Sequence, residues 1–283
     1  MAEILGSTIA GMIVDCGHDG EGRRVIGRRW TTGEGCKPMQ LQFVGCGDAF
    51  GSGGRFNTCF HVVGNGTNFL IDCGATSAVA MKRLGIDPNA IDTILVSHFH
   101  GDHFGGIPFF MLEAQLVSRR ERPLMIAGPP GLPDRYARAM DVAFPSSPQE
   151  PARFQLTLRE IMPYEPARIG PLRVSAFPVV HVEAAGPCVG YRIEVDDKVV
   201  AYSGDTEWTD TLFDIARDAD LFVCEAYTYD RKVKSHTDYA TLVAHLPQLR
   251  AKRLVLTHMA EEMLARCREL PHQIASDGLV IEF

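Results

Sequence analysis

The chain has 283 residues, 46% of them hydrophobic and 22% charged, a globular composition with ample material for a core. Its formal net charge of −7 argues against affinity built on neutralising a long phosphate backbone, while leaving room for a small anionic substrate. Eight scattered cysteines (Cys16, Cys36, Cys46, Cys59, Cys73, Cys188, Cys224 and Cys267) form no C-x-x-C pair and read as reduced, buried thiols rather than a disulfide framework.

The opening MAEILGSTIAGMIVDCGHDG holds a short apolar stretch that Asp15 ends, with no basic region before it. No run approaches the roughly 18 residues that span a bilayer, so a cytoplasmic protein is expected. Residues 1–39 are rich in Gly and Arg with little periodicity. They fit a loosely packed extension, a partner contact, or an overlong start, since Met39 stands immediately before the first clear strand.

From residue 40 the pattern is regular. QLQFVGCG alternates and ends in glycine, and NTCFHVV and NFLIDCG read as two strands joined at Gly64-Asn65-Gly66. Residues 75–84 suit a helix, and TILVS at 93–97 is a short apolar run typical of a buried strand. The pattern then predicts a helix over 106–118, the strand PLMIAG, and a helix after Pro133. Further strands are expected at LRVSAFPVV, CVGYRIEV, KVVAYSG, LFVCEA and RLVLTH. Strands alternating with helices, plus adjacent hairpin-like strands, predict one layered α/β (α+β) domain over residues 40–283.

The segment SHFHGDHFGG at 97–106 sets His98, His100, Asp102 and His103 within six residues, directly after a buried strand. Imidazole and carboxylate groups ligate zinc and other borderline divalent ions, and core or surface filler does not concentrate them this way. His98 and His100 sit two apart, so an extended segment points them the same way. Asp102 and His103 then turn onto the next helix, with Gly101, Gly105 and Gly106 letting the backbone fold tightly. His181, Asp205 and His258 each fall just past a predicted strand, at the edge where loops build sites. Taken singly, each would read as a cap or turn residue; taken together, they complete two metal sites. His98, His100 and His181 fill one, Asp102, His103 and His258 the other, and Asp205 bridges them.

SHFHGDHFGG resembles the H-x-H-x-D-H signature of the metallo-β-lactamase superfamily. The wider context is similar to its ribonuclease Z-like and phosphodiesterase-like members. It includes FVGCGDAF, FLIDCG with Asp72, GGIP, GPPGL, VGYRIE after His181, SGDT (Ser203 to Thr206), CEAY, His236-Thr237, and the L-T-H that ends in His258. The resemblance covers residues 40–283 in order and implies a four-layer αββα sandwich with a dinuclear site at one sheet edge. Members that process tRNA carry a long arm after the third ligand histidine. Here only a short strand-turn-strand separates His181 from Asp205. The last ligand histidine, His258, stands in THMAEEML without the arginine that usually follows it within a few residues, which, with the acidic net charge, speaks against tRNA as partner. His100 in place of a glutamate favours hydrolysis over flavodiiron chemistry. Dimers are common in proteins of this resemblance, which leaves a homodimer open.

Two metal ions about 3.5–4 Å apart can share a water, lower its pKa and neutralise charge on substrate oxygens, which suits a phosphodiester. Asp102 and Asp205 can position the nucleophile while binding metal. Zinc is the expected ion, with manganese, iron or cobalt compatible with a His/Asp site. Asp72 is a candidate to orient a ligand histidine, or an ordinary strand-end turn residue. His236 matches the histidine that protonates the leaving group in ribonuclease Z-like proteins; the plainer reading is an N-cap of a helix starting near Thr237. Arg55 and Asn57 could contact substrate or simply form a Gly-rich turn, while His18, His61, His245 and His272 have no motif context. The expected function is a phosphodiesterase on a small or cyclic substrate. A hydrolase of carboxylic esters, lactones or thioesters is the alternative, and a catalytically idle scaffold would have lost ligands that this chain keeps.

Overall fold

The computed structural model describes residues 38–64, 66–145 and 153–283, with the backbone alone of two short strands before them. The chain divides into two units, Met1–Lys37 and Pro38–Phe283. In the first, β1 (Asp15–His18) pairs antiparallel with β2 (Arg24–Gly27). The side chains of Cys16, Cys36 and His18 lie outside the described residues, as does Asn65 of the expected hairpin turn.

The second unit builds one sheet from β3 (Gln40–Gly45), β4 (Cys59–Gly64), β5 (Thr67–Ile71), β6 (Thr93–Leu95), β7 (Leu124–Gly128) and β8 (Leu156–Glu160). The strands from β3 to β5 meander antiparallel, and those from β5 to β8 run parallel. Parallel neighbours need crossovers, and helices supply them. These are α1 (Ser77–Leu84), α2 (Gly101–Phe104), α3 (Ile107–Leu116) and α4 (Leu132–Ala143). Their ends follow local chemistry: Pro108 and Pro133 stand in the first turns of α3 and α4, and Gly85, at φ 69°, closes α1.

A second sheet follows from β9 (Ala167–Ile169), β10 (Leu172–Pro178), β11 (Val189–Val195), β12 (Lys198–Tyr202), β13 (Leu221–Glu225), β14 (Leu254–Thr257) and β15 (Gln273–Ile274). It too is antiparallel at first and parallel from β12 onward. Helices α5 (Thr211–Ala216), α6 (Tyr239–His245) and α7 (Glu261–Leu264) accompany its parallel half. Finally β16 (Val280–Glu282) returns to pair with β3 of the first sheet.

Strand periodicity creates the layers, because successive side chains face opposite sides. On β5, Phe69 and Ile71 enter the core between the sheets, while Leu70 joins the helix-covered outer cluster. On β13, Leu221 and Val223 face inward, and Phe222 and Cys224 pack under the helices of the second sheet. Three apolar clusters result, one between the sheets and one outside each, which is the expected αββα sandwich of the metallo-β-lactamase type. Six described cysteines are free thiols, five of them buried. Among the described residues no helix is long and apolar enough to cross a membrane.

Candidate metal centre

Loops at the carboxyl ends of strands in both sheets converge on one place, the usual location of sites in α/β layers. Asp72 follows β5, and the 97–103 segment follows β6. His181, Asp205 and His258 follow β10, β12 and β14. Close approach is tight where α3 begins: a Cβ on Gly106 would meet the Gly74 carbonyl at 2.2 Å. The expected need for glycine at 101 does not hold, because a Cβ there meets nothing within 4 Å.

All seven predicted ligand residues come together, in the two groups expected. His98, His100 and His181 bring one ligand atom each within 4.8 Å of one another, as do Asp102, His103, Asp205 and His258. His98 Nε2 and His181 Nε2 each stand 3.1 Å from His100 Nδ1. Asp205 Oδ2 lies 3.2 Å from His103 Nε2, 3.3 Å from His258 Nε2, 3.9 Å from His98 Nε2 and 4.0 Å from His181 Nε2, so one oxygen reaches both groups. Asp102 Oδ2 is 3.2 Å from His258 Nε2.

The far side of the rings decides which nitrogen faces inward. His103 Nδ1 donates to Asp72 Oδ2 at 2.7 Å, and His181 Nδ1 donates to the Ser235 carbonyl at 2.7 Å. Ser97 Oγ sits 3.1 Å from His98 Nδ1 and donates to Asp72 Oδ2. Asp72 therefore holds the His103 ring by its Nδ1 while also ending β5 in a turn conformation, at φ 60°.

Charge is divided between the groups. Burial holds His98, His100 and His181 below the usual imidazole value, which keeps them neutral with free lone pairs. Burial acts likewise on His103 and His258, but Asp205 and Asp102 outweigh it, lifting His103 well up and His258 to about 9. Among the described residues, Asp205 Oδ1 and His258 Nδ1 are buried without any hydrogen-bond partner. A buried carboxylate oxygen without a partner, beside inward-facing imidazole nitrogens, is a donor set that divalent cations would satisfy.

His236 lies beside this cluster, its side chain 18% exposed. Its Nδ1 donates to Glu225 Oε2 at 2.9 Å, and its ring stacks on Tyr227 at 4.4 Å between centroids. The cap of α6 is Asp238, which accepts from the Thr241 N–H, so the N-cap reading of His236 is corrected. Sequence reasoning assigned no role to Glu225, although a glutamate ending the apolar run LFVCE signals a buried charge in need of a partner. Arg55 and Asn57 do not reach the site. Asn57 Nδ2 donates to the Asp48 carbonyl and Arg55 Nη1 to Cys46 Sγ, so both stabilise their own loop. His61 pairs with Asn68, His245 stacks on Trp208, and His272 meets the Tyr239 hydroxyl, all away from the centre. A cleft of about 1050 Å³ opens over the cluster, lined by His100, His181, His236, Tyr227, Lys234 and Phe50 among others.

Several known proteins are similar to the chain. Ribonuclease Z of Agathobacter rectalis is 36% identical over 141 residues, covering 50% of this chain and 44% of that protein. The chain thus spans less than half the length of this curated relative. Ribonuclease Z of Methanothermobacter thermautotrophicus is 27% identical over 272 residues, covering 78% of this chain and 87% of that protein. Among solved structures, the metallo-β-lactamase fold protein YhfI from Bacillus subtilis superposes with a TM-score of 0.71 at 19% identity, over 87% of this chain and 100% of that one. A diphosphatase from the PhnP family gives 0.69 at 20% identity, over 87% and 98%. Zinc-bound PqqB from Methylobacterium extorquens gives 0.68 at 16% identity, over 86% and 100%. These structural likenesses establish the fold. The family model described as anti-Pycsar protein Apyc1 matches residues 39–274. That span takes in every strand of both sheets except β16 and every residue of the His/Asp cluster, so the chain belongs to the Apyc1 family, on the ribonuclease Z-like branch of the metallo-β-lactamase fold.

Proposed function

We propose that the chain is a dinuclear metal-dependent phosphodiesterase acting on a small or cyclic phosphodiester. The observation that carries this reading is His236, fixed by Glu225 at one nitrogen and opening onto the cleft beside the His/Asp cluster. Ester and lactone hydrolysis has less need of a positioned proton donor than expulsion of an alkoxide from phosphorus.

In this reading His98, His100 and His181 would hold one ion and Asp102, His103 and His258 the other, with Asp205 available to both. When bound, two divalent cations, zinc by the donor chemistry, supply a polarised water and neutralise charge on the phosphoryl oxygens. Asp102 and Asp205 orient the attacking water by accepting its hydrogens. His236, protonated, gives its Nε2 proton to the departing oxygen, while Glu225 stabilises the imidazolium and Tyr227 limits ring rotation by stacking. A small substrate is supported by the short link between His181 and Asp205, a turn and the β11–β12 hairpin, which offers no arm to clamp tRNA. Similar proteins named as a diphosphatase and as ribonucleases Z support phosphate chemistry on this scaffold.

The test is metal content paired with hydrolysis of bis(p-nitrophenyl) phosphate before and after chelation. About two ions per chain with chelator-sensitive cleavage supports the reading. Metal without diester cleavage moves the assignment to esters or lactones, a second reading favoured by the exposed Phe50, Val180 and Val182 along the cleft.

A further inference from the structure

Ser235 carries a φ of 73°, a left-handed conformation that a serine adopts only when its surroundings impose it. What imposes it is a closed circuit of hydrogen bonds. The Ser235 carbonyl accepts from His181 Nδ1 at 2.7 Å, and the Ser235 N–H donates to Glu207 Oε1 at 2.7 Å. The Glu207 N–H in turn donates to the Val180 carbonyl at 2.7 Å, and Val180 is bonded to His181. Three loops are joined by this ring: the one after β10 with His181, the one after β12 with Asp205, and the one before α6 with His236. The same loops are tied again by Thr206, whose Oγ1 accepts from the Val180 N–H and whose carbonyl accepts from Thr237 Oγ1. Glu207 is not among the residues lining the main cleft; it lines a smaller groove that adjoins the cleft at Lys234 and His236.

The geometry points to Glu207 as a positioning residue that sets His181 and His236 relative to one another through the Ser235 backbone. It acts through a single residue's backbone: the amide nitrogen of Ser235 is pinned by the carboxylate, its carbonyl fixes the His181 tautomer with Nε2 facing inward, and the next residue is His236. The rings of His181 and His236 accordingly meet edge to face, with centroids 5.0 Å apart. This inference rests on the reading of His181 as a metal ligand and His236 as the proton donor.

The test compares E207A, E207D and E207Q with wild type in metal affinity, in kcat and KM at saturating metal, and in the Nδ1–H resonance of His181 in metal-free protein. Glutamine keeps an oxygen acceptor at the same reach, whereas alanine removes it and aspartate falls one methylene short. E207A and E207D are expected to weaken zinc binding and lower kcat by about tenfold each, the lower end for partners that orient a ligand, with KM nearly unchanged. Both should lose the protected His181 resonance, and E207Q should restore all three quantities. Should E207A not fold, E207D against E207Q decides. Wild-type metal affinity and kcat in E207D, or an E207Q variant as impaired as E207D, would overturn the inference. Wild-type protein that binds metal but cleaves no diester would remove the phosphodiesterase reading alone, because metal affinity and the resonance still report on the brace.

Discussion

Glu225 receives the His236 Nδ1–H at 2.9 Å with a carboxylate that is 0% exposed at the end of β13. Its other oxygen accepts from the Thr206 N–H and, at 3.5 Å, from the Thr237 N–H. One oxygen therefore ties the loops after β12 and before α6 together, and the other holds the imidazole between them. Burial pushes the Glu225 carboxyl up, His236 pulls it back, and the same contact raises His236 against the effect of its own burial. The pair is a buried acid–base couple that is favourable only while each member has the other.

His236→Ala should leave metal content at the wild-type level and slow turnover of an alkyl diester by about 10²–10⁴-fold, the usual contribution of a positioned acid. A p-nitrophenyl leaving group departs without protonation and should be slowed far less. Metal analysis beside the two rates checks this. Loss of metal would instead make His236 a ligand, a role its place in a group with His181 and Asp205 makes a concrete alternative.

The pH profile follows from the direction of the His236 shift. Burial lowers this imidazole, but the hydrogen bond and charge of Glu225 outweigh it, so the folded value lies above the ordinary one near 6.5. The acid is protonated below that raised value and is lost as pH climbs through it. Glu225→Gln removes the charge and keeps the burial, so the descending limb of kcat should move to lower pH. An unmoved limb in the Glu225→Gln protein, with kcat otherwise lowered, would show that Glu225 acts on the backbone contacts alone.

Asp205→Ala should lower bound metal and abolish activity together, because Asp205 Oδ2 lies within 4.0 Å of His98, His103, His181 and His258 alike. Its loss also leaves His103 and His258 without the carboxylate that does most to raise them. Elemental analysis after dialysis, beside the rate, is the measurement. Full metal with full activity would end the bridging assignment.

Much of this centre was legible in the chain because its residues announce themselves by type and spacing. His98, His100, Asp102 and His103 follow a buried strand, and the lone His181, Asp205 and His258 each come just after one, so strand positions alone bring them to one edge. The central strands were readable for the same reason, being short apolar runs. The strand LTLRE of β8 was not, since its residues are half-exposed or exposed and, among the described residues, it pairs only with β7. Nor was β16, whose pairing of Ile281 with Leu41 depends on a partner about 240 positions away. Ser235 and Glu207 escaped because their roles lie in backbone hydrogen bonds and a positive φ, which side-chain chemistry does not display. Glu225 carried a signal in LFVCE, but its partner His236 is eleven positions on, in a loop.

Asp72 offers the sharpest separation between a turn residue and a tautomer-setting one. Its Oδ1 accepts the Ser97 N–H at 2.7 Å, and its Oδ2 accepts Ser97 Oγ at 2.8 Å and His103 Nδ1 at 2.7 Å. In Asp72→Asn the amide oxygen can still accept from the Ser97 backbone, and asparagine tolerates the left-handed conformation, so the turn survives. The amide NH₂ then faces His103 Nδ1, which must accept instead of donate. That moves the ring proton to Nε2, the nitrogen aimed at Asp102 and Asp205, and closes it to a cation. Zinc affinity should fall by about 10–100-fold with the fold intact, as for other partners of ligating histidines. Zinc titration of the metal-free protein, with circular dichroism as the check on folding, reads this directly. Unchanged affinity would reduce Asp72 to the turn residue that its position after β5 also explains.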